Sequence, residues 1–192
     1  MSAKRNIRKS RPHQKGFTLL EVMMSMAVMT IGLVSLLGVF GLAMASTQGS
    51  QQNAISKQLA NEALEGILTA RETSNVTWTQ IQNTGAGGIF LSGAQPIDCP
   101  GVDGIIGTAD DAACGPQYLQ MPGPDGIFGT ADDVQLPLTN YTRTITITEA
   151  VNPTNGQPIP TLNQVNITIT YNNPQLKLAQ NYILNTYISQ YR

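Results

Sequence analysis

Lys15-Gly16-Phe17-Thr18-Leu19-Leu20-Glu21 opens the longest uncharged run in the chain, since no charged residue comes after Glu21 until Lys57. Within that run Val22 to Ala45 is a 24-residue stretch of Val, Met, Ala, Ile, Leu, Gly and Phe, interrupted only by Ser25, Thr30 and Ser35. A helix needs about 20 apolar residues to cross the ~30 Å hydrocarbon core of a bilayer. The stretch therefore predicts a membrane-crossing helix. In front of it residues 1–16 carry Lys4, Arg5, Arg8, Lys9, Arg11 and Lys15 and no acid, a block of charge +6. Such a block keeps the N-terminus cytoplasmic. The chain beyond the helix then lies on the far side of the membrane, where disulfides are permitted.

Three readings fit a basic block joined to an apolar helix. A signal peptide cut at Ala43-Met44-Ala45 is one, but the apolar region is far longer than the usual ~7–15 residues, and Glu21 sits at its start. An uncut membrane anchor is the second. The third is a leader removed before the apolar stretch, which leaves that stretch on the mature chain.

The residues carry a resemblance that favours the third. A small Gly16, then Phe17, then Glu21 five residues into the new chain, resembles the prepilin motif of type IV pilins and of type II secretion pseudopilins. With Thr30-Ile31-Gly32-Leu33 and Gly38, the string from Phe17 to Leu42 resembles in particular the pilus-modification minor pilins. Many major pilins have Pro where Gly38 falls, and this chain has no Pro between Pro12 and Pro96. The resemblance implies cleavage between Gly16 and Phe17 and N-methylation of Phe17 by a prepilin peptidase/methyltransferase. The subunit then waits in the bacterial inner membrane, and an inner-membrane assembly platform draws it with other pilins into a helical filament. It also implies that Glu21 of one subunit neutralises the new amine of a neighbour. A cell-surface pilus and a periplasmic pseudopilus are both open destinations. A rival from another class is a membrane-anchored, calcium-binding adhesin or secreted enzyme.

Beyond residue 46 the pattern turns amphipathic. Ile55, Leu59, Ala63 and Ile67 recur every fourth residue, with Ala60, Leu64 and Leu68 beside them. The period is lost between Arg71 and Asn75, so the helix is expected to end near residue 72. The chain thus divides into a leader (1–16), a membrane or filament-core helix (17–45), its amphipathic continuation (46–72) and a globular head (73–192). Residues 73–98 read as linker-like, with a short helix or strand that crosses to the sheet as an open reading, and hold Ile89-Phe90-Leu91 and the single Trp, Trp78, as a satellite of the core. Arg143 to Thr148 and Val165 to Tyr171 alternate strictly, and Tyr182 to Tyr191 is a third β-rich run. The fold class is α+β and pilin-like: a long N-terminal helix covering a C-terminal antiparallel sheet (141–191), with a Thr- and Asn-rich outer face.

Two acidic loops mark the head. Pro100 to Asp111 and Pro122 to Asp133 agree at ten of twelve positions with an offset of 22, an internal duplication. Asp103, Asp110 and Asp111 in one copy answer to Asp125, Asp132 and Asp133 in the other. Oxygen-rich clusters with glycines suit Ca²⁺, though the spacing is not that of an EF-hand. The same Pro-x-Asp-Gly strings also signal β-turns capped by Asp; both readings stay open, and no other cofactor is called for. Cys99 and Cys114 bracket the first copy and predict one disulfide.

Composition narrows the function classes. Residues 17–192 hold five basic residues against all twelve acids, a net −7, which argues against a nucleic-acid surface. The single His is His13, inside the leader, so the mature part offers no His for a nucleophile triad or a zinc site. No phosphate-binding glycine loop is present. The expectation is a structural subunit, not an enzyme.

Overall fold

The computed structural model describes residues 16–173 and 178–191; the basic leader through Lys15, His13 included, lies outside the described residues. The first element is α1 (Leu19–Glu72), one helix through both the apolar and the amphipathic stretch. Two compact units divide within it, between Ser46 and Thr47.

In the first unit α1 has no buried face. Every large apolar side chain from Leu19 to Met44 is exposed. A helix apolar all round needs lipid or other helices around it. Among the described residues it is the one helix long and apolar enough to cross a membrane.

In the second unit α1 becomes one-sided. Leu59, Ala60, Ala63, Ile67 and Ala70 form a buried stripe at helical spacing, flanked by half-buried Ile55, Leu64 and Leu68. The helix ends where the loss of period predicts. Ser74 N–H donates to the Arg71 carbonyl and Asn75 N–H to the Ala70 carbonyl. Ser74 holds the left-handed φ of 62° between them. That is the Schellman arrangement, with Ser where Gly is usual.

The stripe packs on a four-stranded antiparallel sheet in the order β1 (Ala94–Pro96), β4 (Tyr141–Val151), β5 (Pro158–Asn173), β6 (Leu178–Ser189). Alternation sends Ile145 and Ile147 of β4, Val165, Ile167 and Ile169 of β5 and Ile188 of β6 inward. Each Ile so buried is worth roughly 1.5–3 kcal/mol against leaving it in water. Thr144, Thr168 and Ile183 lie in one row on the opposite face, and Thr146, Asn166 and Asn185 in the next. Tyr141 and Tyr171 are direct cross-strand partners with ring centroids 5.6 Å apart.

Three local details complete the sheet, and the last of them differs from the sequence expectation. The β4–β5 turn takes only residues 152–157 and is closed by Gly156 N–H to the Asn152 carbonyl. The register shifts at Glu149/Ala150, so that Ile159 pairs with Ala150 despite the two prolines nearby. The last strand begins at Leu178 and not at Tyr182.

Residues 73–98 are more than a linker. Ile81, Phe90 and Ile97 are wholly or almost wholly buried, between two 3₁₀ turns (Trp78–Gln80 and Thr84–Ala86) and β1. Asn83 extends the work of β1: its side-chain amide donates to the Ile145 carbonyl at 2.8 Å and its Oδ1 accepts from Ile147 N–H at 2.7 Å. One side chain thus satisfies the β4 edge where the short β1 stops. Trp78 is half-buried against the core and donates Nε1–H to the Pro160 carbonyl at 2.8 Å, as a satellite residue should.

A second sheet, β2 (Tyr118–Met121) with β3 (Val134–Pro137), was not expected. It is a hairpin whose connecting loop is the second acidic copy. Between the first copy and β2 lies α2 (Asp111–Cys114), a single helical turn.

Candidate functional site

Gly16, Phe17 and Thr18 precede the helix without regular structure, and all three are exposed. Thr18 caps α1: its Oγ1 accepts from Glu21 N–H at 3.3 Å, and its carbonyl accepts from Glu21 N–H and Val22 N–H. Thr18 and Glu21 have the Thr-x-x-Glu spacing of a capping box, a signal in the sequence that the motif reading passed over. The cap stops the helix short of the Gly16–Phe17 bond and leaves that bond outside the hydrogen-bonded ladder. Glu21 lies in the first turn, where the helix dipole favours negative charge.

The polar residues inside the apolar run are satisfied within the helix. Ser25 Oγ–H donates to the Glu21 carbonyl at 2.7 Å, Thr30 Oγ1–H to the Ala27 and Met26 carbonyls at 2.8 and 3.0 Å, and Ser35 Oγ–H to the Ile31 carbonyl at 2.8 Å. A hydroxyl paired to its own helix brings no unpaired donor into lipid.

The two acidic copies share one backbone design. Asp103 Oδ1 accepts from Ile105 N–H at 2.8 Å, and Asp125 Oδ1 from Ile127 N–H at 2.9 Å. Asp110 accepts from Thr108 Oγ1–H at 2.7 Å and from Asp103 N–H at 3.2 Å. Asp132 accepts from Thr130 Oγ1–H at 2.6 Å and from Asp125 N–H at 3.4 Å. Asp111 Oδ2 accepts from Gly107 N–H at 2.6 Å, and Asp133 Oδ2 from Gly129 N–H at 2.7 Å. Gly101 and Gly123 must lack a Cβ, because one there would run into the Asp110 or Asp132 carboxylate.

These bonds set the carboxylate acidities. The Thr108 hydroxyl, with the Asp103 N–H, holds Asp110 below the usual carboxylate range, and the Thr130 hydroxyl does the same for Asp132. The Gly129 N–H lowers Asp133. Burial pushes Asp111 the other way, against its bonds to Gly107 and Gly101 and the nearby Arg143. The support from the three lowered groups is therefore present above the ordinary carboxylate pKa and lost as pH falls through their folded values. Asp111 has the opposite sign.

The carboxylates thus act as acceptors for the loops' own N–H and O–H donors, and Asp133 Oδ2 accepts also from Gln120 Nε2–H of β2 at 2.7 Å. Among the described residues no three His, Cys, Asp or Glu side chains come together as metal ligands. Calorimetry with and without a chelator decides between the turn and the cation readings of these loops, and no change in Tm would leave only the turn reading. A fall of several degrees, reversed by added Ca²⁺, would instead assign a cation to Asp103, Asp110 and Asp111 or to Asp125, Asp132 and Asp133.

Cys99 and Cys114 form the expected disulfide, with Cα atoms 5.7 Å apart and a sequence separation of 15. It closes the first acidic copy into a ring. Cross-linking a loop of this length is worth about 3 kcal/mol in the chain-entropy account. Cys99→Ser should destabilise the head by about that much in thermal or urea unfolding, and reduction of the wild type should match it.

One functional-looking residue escaped the sequence reading. Arg143, seen there only as a strand opener, is 2% exposed, and its Nη1 has no hydrogen-bond partner. Burial lowers its pKa, against the pull of Glu62, Asp111 and Asp98. Glu62 is also held by Gln117 Nε2–H at 2.9 Å. This charge cluster joins α1, the first acidic loop and β4 inside the head.

Residues 11–37 match the family model of the prokaryotic N-terminal methylation motif. The match shows the resemblance read from Lys15 to Glu21: the chain carries the signal of type IV pilins and pseudopilins, on a pilin-like α+β layout. It covers about one seventh of the chain. No curated protein and no solved structure matches the sequence significantly.

Proposed function

We propose that the chain is a structural subunit of a type IV pilus, of the minor-pilin kind, with no catalytic step of its own. One observation carries this reading. The methylation motif leads directly into a helix that is apolar on every side in the first unit and one-sided in the second. A soluble enzyme has no use for the first part, and a simple anchor has no need of a cut that frees an amine four residues before Glu21.

On this reading a prepilin peptidase cuts between Gly16 and Phe17, and Phe17 is methylated. The subunit rests in the inner membrane with its N-terminus cytoplasmic until the assembly platform draws it into a filament with other pilins. Edman or mass-spectrometric sequencing of the mature protein should begin at N-methylated Phe17. A start at Ser46 or at Met1 would remove the reading. Purified pili should contain the subunit; its recovery only with secretion-system components would make it a pseudopilin.

A further inference from the structure

Among the described residues Arg143 is the one buried cation. Alternation puts it on the inward face of β4 beside Ile145, opposite Gln95 of β1. A buried charge is costly unless it is paired and hydrogen-bonded. The charges of Glu62, Asp111 and Asp98 act on the guanidinium, but no ion pair joins it to any of them, and Nη1 has no hydrogen-bond partner in the protein. Two of those carboxylates are engaged elsewhere. Asp111 accepts from Gly101 N–H and Gly107 N–H, and Glu62 accepts from Gln117 Nε2–H.

A small cavity of about 90 Å³ adjoins the guanidinium, and its polar lining is Arg143, Asp98, Asp111, Thr108 and Gln95. These residues place it between β1, the first acidic loop and β4. The lining fixes the chemistry of the occupant, which must accept from Arg143 and donate to the two carboxylates. An anion only accepts, and Asp98 and Asp111 repel it. A metal cation leaves Nη1 without an acceptor and meets the charge of the guanidinium. Water accepts and donates, and at ~30 Å³ each the space holds about three waters.

We propose that this cavity is a water site, whose water accepts from Arg143 Nη1 and donates to Asp98 and Asp111. The bridge supplies the acceptor that the engaged carboxylates do not. It also ties the first acidic loop to β1 and β4, a second fastening beside the Cys99–Cys114 bridge. The two copies of the loop differ accordingly. Ile105 and Ile106 of the first copy are each 4% exposed and seated in the core of the head. Ile127 and Phe128, at the same places in the second, are 60% and 64% exposed. There Asp133, the counterpart of Asp111, takes Gln120 Nε2–H as its extra donor.

The test uses the full chain in detergent micelles with nitrogen-labelled arginine. Water-selective NOE spectra should show the Arg143 guanidinium protons in direct contact with water, with the sign of a long-lived complex. Relaxation dispersion of the solvent oxygen should count at least one fewer long-lived water in Arg143→Met, which keeps an unbranched side chain and drops the donors. Guanidinium protons without a water contact, or equal counts in the two proteins, overturn the proposal. Saturable movement of the Arg143 resonances with acetate or with Mg²⁺, at constant ionic strength, overturns it also and assigns an anion or a cation to the cavity. Where Arg143→Met does not fold, the wild-type NOE decides alone: contact supports the water site, and its absence removes it.

Discussion

A chain carrying Gly16→Leu should accumulate at precursor length, with no detectable product beginning at Phe17 and none in filaments. The substitution reads the peptidase alone, because a Cβ at Gly16 meets nothing within 4 Å and the position lies outside the helix. Thermal unfolding of the head should be unchanged. Glu21→Ala separates the next step: the precursor should be cut as before, but filament incorporation should drop. On the filament reading, cutting places a charged amine at Phe17, just ahead of a helix that is apolar on every side. An unpaired charge costs roughly 2.5–3.5 kcal/mol at mid-bilayer and less near the interface, which bounds the drop at about a hundredfold. A Glu21→Ala chain incorporated at wild-type levels, measured by immunoblot of sheared pili, would remove the carboxylate from assembly.

The long helix and the main sheet were legible because each repeats one period for many residues. The stripe from Ile55 to Leu68 and the alternations of 143–148 and 165–171 appear in the structure as read. The hairpin was not legible, because strands of four residues do not repeat a period often enough to be seen. Tyr118, Met121, Val134 and Leu136 are also exposed, so the short alternations Leu119-Gln120-Met121 and Val134-Gln135-Leu136 mark no core-facing strand. Residues 73–98 looked linker-like since their buried residues, Ile81, Phe90 and Ile97, are spread at no regular period through a Gly-, Thr- and Asn-rich stretch. Contact with elements distant in sequence assigns them to the core, and no local pattern records that contact.

The N-terminal motif was legible for a different reason: it is read by chemistry, one residue at a time, and needs no tertiary context. The acidic loops lie between these cases. Their duplication and turn chemistry were plain, but both copies have nearly the same residues. Which copy is seated and which is exposed depends on the chain around each. The first is tied by a disulfide beside the core and the second is carried on a hairpin tip. Arg143 is the same lesson in reverse, since an alternating strand with one cation reads as polar at that place until its burial and the charges of Glu62, Asp111 and Asp98 that act on it are seen.

That difference between copies yields the second large effect. Asp111→Ala should destabilise the head by about 3 kcal/mol, from three sources that act together. It leaves the buried Gly107 N–H and the half-buried Gly101 N–H without acceptors. It takes from buried Arg143 one of the three carboxylates whose charge favours its charged form. It also loosens the turn that seats Ile105 and Ile106. Asp111→Asn keeps the shape and one acceptor, and it removes a charge that burial disfavours, so it should cost about 1 kcal/mol. The matching change in the second copy, Asp133→Ala, breaks the equivalent bond to Gly129 but in an exposed loop whose apolar pair is already in water. It should move Tm by a small fraction of the Asp111→Ala shift. Urea unfolding of the three variants beside wild type checks the ordering. Equal losses for Asp111→Ala and Asp133→Ala would mean that the two loops contribute alike, and that the seating of Ile105 and Ile106 and the company of Arg143 add nothing to the stability of the head.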